Sequence, residues 1–291
     1  MPTSTPHPYR VVNAFGIAGI PFSGNPAGVV MDADGLDDAT KQNIARQLNL
    51  VDTTFVGKSD KADFRFRYFT PQKELPVTGH PTIAALGVLM DTGVLAPNAK
   101  VRIETAGGDI DAWLDDGRIW VSQPPARFRP LRCGAGELAD AIGLAADDIV
   151  SSPAPEVSDV GLGHIIARIK DVETLRRART DIEKLVPVCT ASGAREAQIF
   201  AVDTDGTIHT RNLCPRTGEE DPACGNGNAA LGAWMAKHGQ LNPGQRLSLS
   251  QGAVVDRPSC VHIERQTDSG DQISIAVGGI ARLMAEGCLY L

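Results

Sequence analysis

The chain repeats itself at half its length. Arg67-Tyr-Phe-Thr-Pro71, Thr78-Gly79-His80 and Ile83-Ala-Ala-Leu86 are echoed by Arg211-Asn-Leu-Cys-Pro215, Cys224-Gly225-Asn226 and Asn228-Ala-Ala-Leu231. Arg67 and Arg211 lie 144 residues apart, Phe55 and Phe200 145, and Gly79 and Gly225 146. A steady offset of this kind marks an internal duplication. In a chain of 291 residues it predicts two copies of one domain. Gln123-Pro124-Pro125 falls between the copies and reads as the linker, because Pro-Pro resists both helix and central strand.

After each repeated glycine the sequence is apolar on every face, in Ile83–Met90 and again in Ala229–Ala236. A helix apolar all round is a buried helix, so each copy should wrap its strands around one central helix. The rest is mostly short β-type runs: Tyr9–Phe15, Gly28–Met31, Thr53–Gly57, Asp63–Phe69, Lys100–Thr105, Ile110–Leu114 and Arg118–Ser122, then His164–Ile169, Ala197–Val202 and Thr207–Leu213. Arg246–Leu291 reads as three or four more strands, and Leu36–Leu48 as an amphipathic helix. The expected class is α+β. Strands and helices do not alternate regularly, and neither a strand-linked Gly-x-Gly-x-x-Gly nor a P-loop occurs, which argues against a Rossmann fold.

Composition removes several functions. There are 28 Lys and Arg against 35 Asp and Glu, with no basic run, so a nucleic-acid partner is not expected. No apolar stretch reaches the roughly 18 residues of a membrane span. Met1–Pro8 has no apolar core of a secretory signal and reads as a disordered lead-in, so the expected location is cytoplasmic. The six cysteines and six histidines are dispersed without Cys-x-x-Cys, so no metal site is expected.

The starts of the two apolar helices are where chemistry would gather. A helix N-terminus carries about half a positive charge and suits a carboxylate ligand. It also stabilises charge that develops when a neighbouring C–H is deprotonated. Thr78 is placed to cap the first helix, and the dipole at the second should favour a Cys224 thiolate. His80 lies beside the first helix start, and Asp221, Cys224 and Asn226 beside the second. Asp52, between a helix and a strand, reads more readily as an exposed loop carboxylate than as a buried one.

Four stretches carry a resemblance: Phe22-Ser-Gly-Asn-Pro-Ala27, Ala45–Phe55, Arg67–Thr82 with its Gly-His-Pro-Thr, and Glu220-Asp-Pro-Ala-Cys-Gly225. With Gln251-Gly252, Arg257-Pro-Ser259 and Val277-Gly-Gly279 they run over nearly the whole chain. In these the chain resembles the phenazine-biosynthesis isomerase (PhzF-like) family, within the diaminopimelate-epimerase and proline-racemase type of fold. The resemblance implies two pseudo-symmetric domains, each a barrel-like sheet around a buried helix, with the site between them. The last strand is expected to return to the first domain, giving 1–122 plus 279–291 and 123–278. It implies no metal, no organic cofactor and commonly a homodimer. The family's best-known member isomerises a dihydro-hydroxyanthranilate by moving a proton between carbons.

Carried onto this sequence, the resemblance makes Asp52 the proton shuttle, His80 the substrate-binding histidine that assists it and Asp221 the ligand of a substrate amine. Gly79 and Gly225 would offer N–H groups to the substrate carboxylate, and Asn25, Cys224 and Asn226 would complete the substrate contacts. Three residues depart from the pattern. Asp52 stands for a glutamate, Thr78 for a catalytic cysteine of the related epimerases, and Cys224 and Asn226 for threonine and serine. The expected function is therefore a cofactor-independent isomerase of a small carboxylic acid. The alternatives are an amino- or hydroxy-acid epimerase or racemase using Cys224, and a silent binder of small carboxylates.

Overall fold

The computed structural model describes residues 6–215, 218–267 and 272–291. The chain divides into two compact units, Met1–Ser122 with Gly278–Leu291, and Gln123–Val277. Of the expected disordered lead-in, residues 1–5 lie outside the described residues, and Pro6–Pro8 already belong to the first strand.

The first unit runs β1 (Pro6–Ala14), β2 (Asn25–Val30), α1 (Asp38–Leu48), β3 (Asp52–Gly57), β4 (Phe64–Phe69), β5 (Glu74–Leu75), α2 (Gly79–Asp91), β6 (Lys100–Glu104), β7 (Ile110–Asp115) and β8 (Arg118–Ser122). The second runs β9 (Arg127–Pro130), α3 (Ala135–Ala141), β10 (Glu156–Asp159), β11 (Gly163–Arg168), α4 (Val172–Arg177), α5 (Ile182–Ser192), β12 (Glu196–Val202), β13 (Ile208–Cys214), β14 (Glu219–Asp221), α6 (Gly225–Lys237), β15 (Arg246–Gln251) and β16 (Ser259–Arg265). After β17 (Ile275–Gly279), the last strand β18 (Ala281–Tyr290) returns to the first unit and pairs with β1.

The pairing directions repeat. In the first unit β18–β1 and β1–β2 are antiparallel, β2–β3 parallel, β3–β4 and β4–β5 antiparallel, β4–β6 parallel and β6–β7 antiparallel. From β9 through β16 the second unit has the same series. β9, β10, β5 and β14 have no sequence signal of their own. They are short and polar, and their pairing with longer neighbours defines them.

Register shows which residues correspond. Phe55 sits opposite Arg67, and Ile199 opposite Arg211. The 144 spacing of the arginines is thus the structural one, and the Phe55–Phe200 match is one residue out. Phe55 packs with Ile44 of α1 and meets Phe69 edge-on at 5.3 Å, whereas Phe200 faces α6 and meets Trp234 at 5.5 Å. The two rings point to opposite faces of equivalent strands, as a one-residue slip requires.

Both central helices are buried along their length, as their all-round apolarity demands. Each carries a mid-helix glycine where a strand presses on it. A Cβ on Gly87 would lie 2.2 Å from the Ala281 Cβ, and one on Gly232 would lie 2.6 Å from the Ile263 Cδ1. Ala281 is fixed to the backbone, but the tip of Ile263 can turn away. Gly87→Ala should therefore lose a net stability of about 1–2 kcal/mol, the overpacking cost less the gain in helix propensity. Gly232→Ala should change stability by under about 1 kcal/mol, since propensity offsets a small repacking. Urea unfolding of the two variants measures the difference. Among the described residues no helix is long and apolar enough to cross a membrane.

Candidate active site

In the first unit three polar side chains meet at the start of α2. Asp52 is the first residue of β3 and pairs in parallel register with Ala27 of β2. That pairing carries its carboxylate inward, and the residue is 4% exposed. The exposed-loop reading of Asp52 is thereby corrected. A lone Asp tells nothing of its burial until the strand beside it is known.

Thr78 occupies the N-cap position of α2 with an extended backbone, but its side chain does not cap. The hydroxyl instead donates to Asp52 Oδ2 at 3.1 Å. Tyr68 donates to Thr82 Oγ1 at 2.7 Å, Thr82 to the Thr78 carbonyl at 2.7 Å, and Thr54 to the Pro81 carbonyl at 3.2 Å. These bonds fix the first turn of α2 on β3 and β4. Pro81, lacking an N–H, sits in the one turn of a helix where that loss costs nothing.

His80 is buried and bonds the Pro26 carbonyl, while burial pushes its pKa down to about 3. The ring is therefore neutral at neutral pH. Its Nε2 stands 3.8 Å from Asp52 Oδ2 and has no hydrogen-bond partner among the described residues. A neutral imidazole whose N–H is spent on a carbonyl presents a lone pair, so Nε2 can accept from a ligand O–H or N–H. The Gly-Asn-Pro loop makes this possible. Gly24 has φ 91°, and a Cβ there would meet the Ala14 carbonyl at 2.5 Å. After this turn Asn25 is buried at the head of β2, and Pro26 aims its carbonyl at His80.

The second unit rebuilds the same corner with other residues. Register places Glu196, first in β12, where Asp52 stands, and Cys224 holds the N-cap position of Thr78. His164 of β11 faces Glu196 in parallel register, as Ala27 faces Asp52. Its Nδ1 lies 2.9 Å from the Leu162 carbonyl, and its Nε2 lies 3.2 Å from Glu196 Oε2 and 4.0 Å from Cys224 Sγ. Where the first unit has Thr54, Tyr68 and Thr82, the second has Gln198, Asn212 and Asn228. Asn212 Nδ2 donates to Gln198 Oε1 at 3.0 Å, and Gln198 Nε2 to Asn228 Oδ1 at 3.1 Å. Asn228 Nδ2 also donates to the Cys224 carbonyl at 2.9 Å.

The other expected site residues lie around this corner. Cys224 Sγ accepts from the Gly227 N–H at 3.3 Å. The dipole does not produce the expected thiolate: burial, then the charges of Asp221 and Glu196, push this thiol up. Burial likewise pushes the Asp221 carboxyl up to about 6. Asp221 accepts from the Ala223 N–H at 2.9 Å. Gly225 opens α6. Asn226 is held by the Val160 carbonyl at 3.2 Å and Gln123 Oε1 at 3.3 Å, and its Oδ1 has no hydrogen-bond partner among the described residues. Glu196 escaped the sequence reading. The 144 spacing of the arginines, applied to Asp52, points to it directly.

The chain matches the family model described as phenazine biosynthesis-like protein over residues 12–287. It is similar to the trans-2,3-dihydro-3-hydroxyanthranilate isomerase of Pseudomonas aeruginosa, 31% identical over 299 residues, 98% of this chain and 100% of that protein. Among solved structures, the PhzF-family phenazine biosynthesis protein of Bacillus anthracis has a TM-score of 0.89 and 26% identity, covering 99% and 100% of the two chains. A hydroxyproline epimerase of Agrobacterium vitis shares the fold at a TM-score of 0.65 and 16% identity, covering 99% and 92%. The duplicated architecture, the matching motifs and a family match over nearly the whole chain place this protein in the phenazine biosynthesis-like family, as an isomerase.

Proposed function

We propose that the chain moves a proton within a small carboxylic acid, with Asp52 taking the proton from one carbon and returning it to another. The observation that carries this is the buried Asp52 carboxylate, held by Thr78 and set beside His80 Nε2 at the start of α2. The N–H groups of Gly79 and His80 open that helix and suit the substrate carboxylate. As the C–H proton leaves for Asp52, negative charge spreads toward the carboxylate, where the helix N-terminus stabilises it. His80, neutral, accepts from a substrate hydroxyl or amine and fixes the carbon facing Asp52. The proton then returns to a different carbon and Asp52 is ionised again.

The same reading assigns Asp221 to a substrate amine, with Asn25, Cys224, Gly225 and Asn226 as further substrate contacts. Its support is the similarity to an isomerase whose named substrate is a dihydro-hydroxyanthranilate, a carboxylate bearing such groups. Turnover of that class of substrate in D2O should place deuterium at the carbon that receives the proton, read by mass spectrometry and NMR. Product formed without deuterium, at a rate unchanged in Asp52→Asn, would overturn the assignment.

A further inference from the structure

We propose that His164, Glu196 and Cys224 form a zinc site in the second unit. The three come from β11, β12 and the start of α6, which is why no ligand pair is visible in the sequence. Their nearest nitrogen, oxygen and sulfur atoms all lie within 4.8 Å of one another. His164 is 0% exposed and Cys224 8%. The His164 ring is already oriented by the Leu162 carbonyl at Nδ1, which directs Nε2 toward Glu196 and Cys224. Metal-binding histidines are oriented in this way, with the other ring nitrogen donating to a carbonyl or carboxylate.

Imidazole, thiolate and carboxylate together favour zinc over the oxygen-seeking magnesium or calcium. Three protein ligands leave a fourth position open to water or to a polar group of a ligand. On binding, the Cys224 thiol proton passes to solvent. The first unit provides an internal contrast. Its equivalent corner has the Thr78 hydroxyl in place of the thiol, and hydroxyls are poor zinc ligands.

The site shares Cys224 with the isomerase reading but does not rest on that reading, and cobalt(II) tests it without turnover. Full-length protein freed of metal with a chelator should develop a thiolate-to-cobalt charge-transfer band that saturates at one ion per chain. Zinc should displace it. Cys224→Ser should abolish the band, and Cys288→Ser should keep it. His164→Gln and the near-isosteric Glu196→Gln should weaken binding by at least about 100-fold, since loss of an outer-shell partner alone costs 10–100-fold. Melting curves of each variant separate ligand loss from unfolding. Absence of the band in the wild-type chain would leave only the 3.2 Å contact of His164 with Glu196 and overturn the site. A band retained in Cys224→Ser would overturn it too. Asp52→Asn should leave cobalt binding unchanged, so this site and the isomerase reading can fail separately.

Discussion

Asp52→Asn should lower kcat by about 10²–10⁴-fold and leave KM within a few-fold, because a positioned acid–base group contributes that much to a proton transfer. The amide keeps the size of the carboxylate and can still accept from Thr78, so folding and binding should survive. Asp52→Glu is the sharper test. In this chain the short carboxylate is held by Thr78 Oγ1 at 3.1 Å within a buried corner. An added methylene shifts the reacting oxygens by about 1 Å or more, and such a misplacement costs around a hundredfold. The Glu variant should therefore be about 100-fold slower than the wild type. A Glu variant as fast as the wild type would mean that the corner does not select the shorter acid. The pH dependence of kcat/KM adds a check on His80. With its pKa pushed down to about 3 by burial, this imidazole is neutral well below pH 5. It should add no limb to the profile between about pH 5 and 8, where an ordinary histidine titrates. Under steady-state assay in that range, a limb lost in His80→Gln would contradict the neutral role.

The central helices were legible because hydrophobicity on every face has one structural meaning in a chain without membrane spans. Their equivalence was legible because Arg, Gly and the Ala-Ala-Leu run survive in both copies. The acid corners were not. Asp52 and Glu196 owe their burial to parallel pairing with β2 and β11, contacts that span more than 20 residues and leave no local trace. Thr78 holds the N-cap position, but its side chain does not make the expected cap. Its hydroxyl is drawn to Asp52 instead, because a buried carboxylate costs more to leave without a donor than an N-terminal N–H does. For another reason, His164 has no sequence feature that singles it out from other residues able to line the site. The second copy takes its imidazole from a strand, not from the helix residue equivalent to His80, so the search at equivalent positions meets Asn226 instead.

Arg211→Met should destabilise the second unit by about 3–5 kcal/mol, the usual cost of removing one partner of a buried ion pair. The Arg211 side chain is 6% exposed and that of Glu220 9%. Its guanidinium bonds Glu220 Oε2 at 2.6 Å and the carbonyls of Leu175, Arg176 and Ala178 at 2.8, 3.3 and 2.8 Å. Those carbonyls end α4, so the arginine also closes a helix C-terminus. Methionine fills the space of the stem and strands the carboxylate and the carbonyls together. At about 2–4 °C per kcal/mol for a unit of this size, calorimetry should show a Tm fall of roughly 6–20 °C. Adding Glu220→Gln should recover part of it, since a neutral amide costs less to bury without its partner. Arg67, the equivalent residue, is 25% exposed and pairs with Glu74 at 2.7 Å and with the largely exposed Asp38. Arg67→Met should cost at most about 1 kcal/mol, as exposed pairs do. If the two arginines prove equally costly, burial is not what separates them. Their shared motif would then report a fold requirement common to both copies, independent of the helix end that only Arg211 closes.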